Sequence, residues 1–227
     1  MDGTILYTAS TWIIPAILAI TLHEAAHGFV ARSFGDTTAW ARGRVTLNPF
    51  KHIDPFGTII LPGLLLLVRS PFLFGYAKPV PVNFARLRNP KRDMVWVALA
   101  GPGTNIVLAI VSALLLHLAP YFPQPASNWV AQNLLNSILI NVVLAVFNMI
   151  PIPPLDGGRV AVGLLPAPLA RPLAGLEPYG FVIILGFIFI LPLLGRNLGL
   201  NLNFISTFIS SISGTIIGMI AALTGLT

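Results

Sequence analysis

The chain has 227 residues, of which 56% are hydrophobic and only 9% are charged, with a mean hydropathy of +0.85 and a formal net charge of +6. An average soluble domain carries about 25% charged residues, so this composition excludes an ordinary soluble enzyme and indicates a membrane protein with several spans. The chain has no cysteine, which excludes disulfides and thiolate metal sites. The basic residues cluster between apolar runs, so we interpret the charge as loop bias and expect no nucleic-acid partner.

The apolar segments predict an all-α polytopic membrane protein with about five to six transmembrane helices, a short re-entrant segment and small β-strands near the cytoplasmic side. We expect a single membrane domain over residues 1–227, with a core over residues 8–171 and C-terminal helices over residues 178–225. The start of the chain lacks the features of a cleaved signal peptide, so the first helix is expected to act as its own signal. The predicted spans are residues 8–33, 94–119, 129–148, 179–194 and 204–223.

The first span contains the motif HEAAH, in which His23, Glu24 and His27 are surrounded by apolar residues. Residues four apart lie on one face of a helix, so the two imidazoles can bind one metal ion. Glu24 is then placed to take a proton from a water molecule at that metal. Burying one charged side chain at mid-helix costs about 3 kcal/mol, which favours a functional role over a chance HExxH on a solvated helix.

A mostly polar region separates the first two long spans. Residues 37–47 mix β-forming residues with glycine, and we interpret them as one or two short strands. Residues 56–68 are apolar but short for a span and contain a Pro-Gly pair, which favours a re-entrant loop. Two prolines in alternation over residues 78–83 oppose a helix and predict an extended segment. His52 can be an ordinary loop histidine; the alternative is a gate or substrate-positioning residue near the cytoplasmic mouth.

Charge bias orients the spans. Basic residues concentrate in residues 34–55 and 69–93, whereas residues 120–128 carry no charge. The positive-inside rule therefore places the first two segments in the cytoplasm and the third outside. This orientation puts His23 and His27 in the cytoplasmic half of the first helix.

A second chemical motif, NMIPIPPLDGGR, follows the span that ends near Asn148. Its prolines must break that helix, and Asp156 then lies at the same depth as the two histidines. Asp156 can complete a site of two histidines and one carboxylate with an open position for water, a donor set that favours zinc. The alternative is an ordinary Pro-rich turn in which Asp156 caps the next helix.

HEAAH in the first span, NMIPIPPLDGGR in a later one and GPGTN in the helix between them resemble the motifs of the site-2 protease family of intramembrane zinc metalloproteases. The resemblance covers roughly residues 11–171. It implies one Zn²⁺ ion per chain, held by His23, His27 and Asp156. Glu24 would be the general base and then the acid toward the leaving amine.

The same resemblance implies roles for two asparagines. Asn148 corresponds to the family asparagine that holds the carbonyl oxygen of the scissile bond, a role that a neutral amide donor can fill. Asn105, in GPGTN, is expected mainly to hold helices together, and with His52 it is a candidate substrate or gate residue. No PDZ-like insert lies between the motifs, which resembles the compact prokaryotic subgroup of the family, in the inner or plasma membrane.

The predicted function is regulated intramembrane proteolysis by a zinc metalloendopeptidase of EC 3.4.24 type. Its partners would be the lipid bilayer and a transmembrane protein substrate, cut within or near a transmembrane segment. An extended substrate segment can add to a strand edge, for which residues 37–47 and 78–83 are candidates. Three alternatives remain: a zinc hydrolase acting on a different membrane substrate, a catalytically silent membrane scaffold, and a cation transporter with ligands on more spans than the two seen here.

Overall fold

The computed structural model describes residues 3–60, 64 and 78–226, and this part of the chain is mostly helical. The helices are α1 (Gly3–Ser33), α2 (Thr38–Ala41), α3 (Pro90–Leu116), α4 (Ala126–Asn148), α5 (Asp156–Leu164), α6 (Ala167–Gly175), α7 (Gly180–Leu185), α8 (Leu191–Asn197) and α9 (Phe204–Thr224). Short 3₁₀ turns cover Pro49–Lys51, Phe84–Arg86, Ala119–Tyr121 and Glu177–Tyr179. Two π-helical segments cover Pro55–Ile60 and Gly186–Ile190.

Five helical segments of the described residues are long and apolar enough to cross a membrane. Many of their Leu, Ile, Val and Phe side chains are exposed on the outside of the bundle, as lipid contact requires. The helical membrane class and the predicted number of about five spans are therefore confirmed. The five segments are Leu6–Ser33, Pro90–Leu116, Ala126–Asn148, Ala167–Asn197 and Phe204–Thr224.

The prediction of strands over residues 37–47 is wrong, because Thr38–Ala41 form helix α2. The side chain of Asp36 accepts a hydrogen bond from the Thr38 N–H at 2.9 Å, and such a local bond supports a turn at the expense of a strand. The chain then turns again at Gly43, whose φ is +61°.

The other two predictions for this region have different outcomes. Residues 78–83 are not helical, as predicted, but they pair with no strand among the described residues. The re-entrant prediction for residues 56–68 falls mostly outside the described residues, and only its start is visible as part of the π-helical segment Pro55–Ile60.

Helix α3 lies at the centre of the bundle, where it packs against α1, α4 and α5. Alanines line these contacts, and Ala19, Ala109 and Ala113 have no exposed surface. Small residues let membrane helices approach closely enough for van der Waals packing and interhelical hydrogen bonds. The largest apolar cluster joins α3, α4 and α9 through Ala109, Ala113, Ile138, Val142, Val146 and Ile220.

Helix α1 ends in a turn that directs the chain back toward the bundle. Gly35 has a φ of +107°, a left-handed conformation that favours glycine after a helix. The N–H of Gly35 donates to the Arg32 carbonyl and that of Asp36 to the Ala31 carbonyl, both at 3.0 Å. This turn brings the Asp36 carboxylate to the N–H of Asn83, which donates to it at 2.7 Å.

Helix α9 runs parallel to α3. His117, the residue after α3, has its Nε2 2.8 Å from the carbonyl oxygen of Thr224 at the end of α9. Both helices therefore end on the same side of the bundle, and α9 begins on the side where α4 ends.

Candidate metal centre

His23, His27 and Asp156 meet inside the helical bundle. Asp156 Oδ2 lies 3.2 Å from His23 Nε2 and 3.3 Å from His27 Nε2, and the two Nε2 atoms lie 3.1 Å apart. The three residues are only 7%, 8% and 5% exposed, in the order His23, His27, Asp156. The structure thus brings together the three residues that the sequence predicts as metal ligands.

Glycines allow this convergence. A Cβ atom at Gly101 of α3 would lie 2.5 Å from both His23 Cε1 and His27 Nε2, so a larger residue would have to displace either the imidazoles or α3. A Cβ at Gly157 would overlap the carbonyl group of Met149. The chain after α4 therefore folds tightly onto itself, which places Asp156 at the first position of α5.

The Nδ1 atom of each imidazole, which faces away from Asp156, has an oxygen atom as its hydrogen-bond partner. His23 Nδ1 lies 2.6 Å from Asn105 Oδ1, and His27 Nδ1 lies 2.7 Å from the carbonyl oxygen of Val97. Carbonyl and amide oxygens only accept hydrogen bonds, so both Nδ1 atoms carry the hydrogen. Both Nε2 atoms then direct a lone pair toward Asp156.

Three electron-pair donors thus face one point without a hydrogen between them. Asp156 Oδ2 is buried and has no hydrogen-bond partner among the described residues. A tetrahedral zinc ion with bonds of about 2.0–2.2 Å separates its ligand atoms by about 3.3–3.6 Å, close to the distances between these three atoms. Two imidazoles and one carboxylate are also a donor set that zinc prefers. The residues present therefore fit one zinc ion.

Residues 78–83, which we call the strap, contact the glutamate of the HEAAH motif. The N–H of Val80 donates a 2.7 Å hydrogen bond to Glu24 Oε2, and Val80 itself is buried. The second oxygen, Oε1, accepts no hydrogen bond from the described residues. The strap therefore fixes one oxygen of the Glu24 carboxylate.

The strap is in turn held by Arg44 and His52. Arg44 Nη2 donates to the carbonyl oxygens of Lys78 at 2.7 Å and Pro79 at 3.4 Å. The N–H of Lys78 donates to the carbonyl oxygen of His52 at 2.9 Å. His52 is only 2% exposed, and its Nε2 lies 2.9 Å from the Thr46 carbonyl oxygen. His52 therefore lies within the folded segment that holds the strap.

Asp36 holds the end of the strap nearest α3. Burial alone would raise the pKa of its carboxyl group, but several hydrogen bonds and a nearby cation together outweigh burial and lower that pKa below its ordinary value. The donors are the Thr38 hydroxyl and the N–H groups of Asn83 and Thr38, and the cation is Arg86. Asp36 is therefore a carboxylate at neutral pH.

The two predicted asparagines lie in different surroundings. Asn148 Nδ2 donates to the Leu144 carbonyl one turn back along α4, at 3.0 Å. Asn105 has no exposed surface and contacts two helices, because its Nδ2 donates to the Ala19 carbonyl at 3.3 Å and to Asn141 Oδ1 at 2.8 Å. The expectation that Asn105 links helices matches these contacts, although its bond to His23 was not expected.

Three residues of this region were missed from the sequence. Asn141 could have been found, because an amide inside an apolar span is unusual and indicates a specific partner. Val80 acts through its backbone N–H, which leaves no trace in the sequence. Arg44 resembles its exposed neighbour Arg42, and only the fold shows that Arg44 is buried.

Comparison with known proteins gives the family. Residues 121–193 match the family model described as peptidase family M50, a stretch that contains Asp156 but not the HEAAH motif. The protein named "Putative zinc metalloprotease YwhC" from Bacillus subtilis (strain 168) is 40% identical over 200 residues, covering 85% of this chain and 87% of that protein. No solved structure matched the chain significantly.

Two further relatives have similar names. "Putative zinc metalloprotease Rip2" from Mycolicibacterium smegmatis is 31% identical over 194 residues, covering 86% of this chain and 70% of that protein. "Putative zinc metalloprotease MJ0611" from Methanocaldococcus jannaschii is 32% identical over 169 residues, covering 73% and 74%. The chain therefore belongs to peptidase family M50, and with its five apolar helices it is an integral membrane protein.

Proposed function

We propose that this protein is an intramembrane zinc metalloendopeptidase that hydrolyses peptide bonds within or near transmembrane segments of other membrane proteins. The observation that carries the proposal is the convergence of His23, His27 and Asp156, buried and without an intervening hydrogen, beside Glu24 on a membrane-spanning helix. Membership of a peptidase family, and relatives named zinc metalloproteases, support the same reaction.

His23 and His27, through Nε2, and Asp156, through Oδ2, would hold one zinc ion per chain. When bound, zinc supplies Lewis-acid chemistry, because it lowers the pKa of water to about 7 and polarises a peptide carbonyl. The imidazoles bind it as neutral ligands, since their hydrogens are on Nδ1, and Asp156 contributes one negative charge.

Glu24 moves the protons of the reaction. Its Oε2 already accepts the hydrogen bond of Val80, so Oε1 is the oxygen that removes a proton from the attacking water. The same oxygen then returns that proton to the nitrogen of the leaving amine. Because a hydrogen bond to a carboxylate also restricts its rotation, the strap keeps Oε1 in a constant direction during this exchange.

Asn148 would stabilise the negative charge that develops on the carbonyl oxygen of the substrate. An amide N–H aimed at such an oxygen is a common electrostatic contribution to hydrolysis. The Nδ2 group of Asn148 carries two hydrogens, and one of them donates to Leu144. The second hydrogen, or a rotation that releases Leu144, would serve the substrate.

The substrate must be unwound before it is cut, because the backbone amides of a transmembrane helix are already paired. The strap is the remaining candidate for contact with an extended substrate, since residues 37–47 form no strand. Prolines at 79 and 81 have no N–H to donate. The strap would therefore contact a substrate through carbonyl acceptors and not through a complete strand ladder.

We place the protein in the inner or plasma membrane of a prokaryotic cell, with the metal centre in the cytoplasmic half. The relatives above are bacterial and archaeal, and the basic segments on either side of α2 and before α3 favour the cytoplasm. Because the chain has no cysteine, Arg42→Cys and Arg88→Cys can be labelled selectively in intact cells. Both should react only after the membrane is made permeable, and labelling of either from outside would contradict this orientation.

The decisive experiment replaces Glu24 with glutamine in purified full-length protein. Glu24→Gln should retain zinc, because it removes no ligand, and should lose cleavage of a transmembrane substrate, because an amide takes up no proton. Asp156→Ala should lose both zinc and cleavage. Unchanged cleavage by Glu24→Gln would refute the mechanism.

The same preparation separates the alternatives. A silent scaffold would show no Glu24-dependent cleavage of any substrate. A hydrolase with a different substrate would require Glu24 yet cut a soluble peptide or a lipid ester in preference to a transmembrane segment.

A further inference from the structure

We propose that Asn105 and Asn141 form a directional amide relay that fixes the position of the hydrogen on His23. Both are then positioning residues for metal binding, an inference that rests on the zinc site proposed above. Asn105 Oδ1 lies 2.6 Å from His23 Nδ1, and both asparagines are almost fully buried, at 0% and 1% exposure.

The orientation of the Asn105 amide follows from its other partners. Its Nδ2 contacts the Ala19 carbonyl oxygen and Asn141 Oδ1. The Ala19 carbonyl can only accept a hydrogen bond, so the NH₂ group of Asn105 must face it. The oxygen of Asn105 therefore faces His23, which places the imidazole hydrogen on Nδ1 and the lone pair on Nε2.

The orientation of Asn141 has the same kind of origin. Its Nδ2 donates to the carbonyl oxygen of Ser137 at 2.9 Å and to the Ser137 hydroxyl oxygen at 3.2 Å. The backbone carbonyl cannot donate, so Asn141 Oδ1 must face Asn105. The Ser137 carbonyl on α4 thus sets the orientation of the Asn141 amide, which sets that of the Asn105 amide. The Asn105 amide in turn sets the position of the hydrogen on His23, a predicted metal ligand on α1.

The two histidines are therefore oriented by different means. His27 Nδ1 donates directly to the Val97 backbone carbonyl, which no side-chain substitution removes. His23 depends on two side chains that can each be replaced. Because Asn105 and Asn141 are almost fully buried, bulk water is poorly placed to take over a hydrogen bond that either of them loses. Second partners of this kind set the tautomer and basicity of metal-ligating histidines in general.

The test measures zinc affinity by competition with a soluble chelator, using purified full-length protein in detergent. Asn105→Leu removes the acceptor while keeping the number and branching of the side-chain heavy atoms, and should weaken zinc binding about 10- to 100-fold. Asn105→Asp keeps an oxygen acceptor for His23 Nδ1 but loses the Nδ2 donor to Ala19 and Asn141, so its zinc affinity should fall less than that of Asn105→Leu. The contrast between these two variants separates positioning from packing.

A second pair of variants tests the direction of the relay. Asn141→Asp still accepts from Asn105 Nδ2 and should weaken zinc binding less than Asn141→Leu, whose effect should in turn be smaller than that of Asn105→Leu. Asn133→Leu is the matched control, because Asn133 lies on the same helix and its one donation within the described part of the chain goes to the Trp129 carbonyl one turn back. Asn133→Leu should have wild-type affinity.

Equal zinc affinity in Asn105→Leu and Asn105→Asp would overturn the proposal, because only the aspartate variant retains an oxygen acceptor for His23 Nδ1. A wild-type chain that binds no zinc would instead refute the metal site itself.

If the leucine variants fail to fold, the tautomer can be read without altering the relay. In protein with ¹⁵N-labelled histidine and the substitutions His52→Gln and His117→Gln, the two remaining imidazoles should both carry their hydrogen on Nδ1. A hydrogen on Nε2 of His23 would overturn the relay.

Discussion

The candidate metal centre, formed by His23, His27 and Asp156, and the strap region are held in place in opposite ways. At this site, buried side chains of α1, α3 and α4 form hydrogen bonds with one another. The helices are packed so closely that there is no room for a Cβ atom at Gly101. In the strap region, by contrast, the backbone of residues 78–83 is bound by charged groups such as Arg44 and Asp36. The metal centre should therefore be sensitive to added atoms, and the strap to removed charges.

Gly101→Ala should produce the largest effect. The new methyl group would lie 2.5 Å from both imidazoles, and displacement of a reacting group by about 1 Å can cost about a hundredfold in rate. Zinc content, measured by metal analysis, and cleavage of a transmembrane substrate should both fall sharply. Gly103→Ala is the control, since among the described residues nothing outside the neighbouring turns of its own helix lies within 4 Å of its Cβ position. Wild-type zinc and activity in Gly101→Ala would show that the helices can separate without consequence.

Asn148→Ala should lower turnover about a hundredfold while zinc content stays normal. The loss of one donor to a developing oxyanion costs about 3 kcal/mol in other hydrolases. Steady-state kinetics distinguishes this role from helix capping or binding of the substrate backbone, which would change KM with near-normal kcat. Turnover within about twofold of the wild type would exclude the oxyanion role.

Arg44→Ala tests the strap. The buried guanidinium donates to two carbonyl oxygens, and losing a charged hydrogen bond costs about 1.5–3 kcal/mol. If the strap orients Glu24, turnover should fall roughly tenfold, since 1.4 kcal/mol corresponds to a factor of ten. Arg42→Ala, in an exposed position of the same segment, should leave turnover unchanged. Equal turnover in both variants would mean that the strap does not influence the reaction.

Asp36→Asn should have the smallest effect and the clearest dependence on pH. At neutral pH the variant should lose about 1 kcal/mol in the free energy of unfolding, because an amide offers one acceptor where the carboxylate has two. A lowered pKa in the folded state means that the wild-type advantage is complete above the ordinary carboxyl pKa of about 3.9 and is lost as pH falls further. Thermal unfolding of both proteins at neutral and acidic pH measures this difference. A constant difference at all pH values would exclude the ionised carboxylate as its source.

The convergence of His23, His27 and Asp156 was easier to predict from the sequence than the contacts of the strap, for a physical reason. His23 and His27 share a helix, so their spacing alone defines their relative position. Asp156 required only one further step, because prolines after Asn148 end one helix at a predictable depth.

The strap contacts depend instead on distant pairs. Glu24 meets the N–H of Val80, 56 residues away, and a backbone group carries no side-chain signal. The threonines near residue 38 favoured a strand by composition, but the turn after Gly35 and the carboxylate of Asp36 produced a helix. The local preference of these residues for a strand was outweighed by the hydrogen bond from the Thr38 N–H to the Asp36 carboxylate. The geometry of that bond could not be read from the sequence.

The way in which the strap is held also affects how molecules of this protein behave toward one another. A non-helical segment with free N–H groups can template sheet formation between chains and so promote aggregation. In the strap, Lys78, Val80 and Asn83 already donate within the chain, and the two prolines have nothing to donate. These contacts thus occupy three of the four N–H groups of the strap and reduce its capacity to pair with a neighbouring copy of the folded protein.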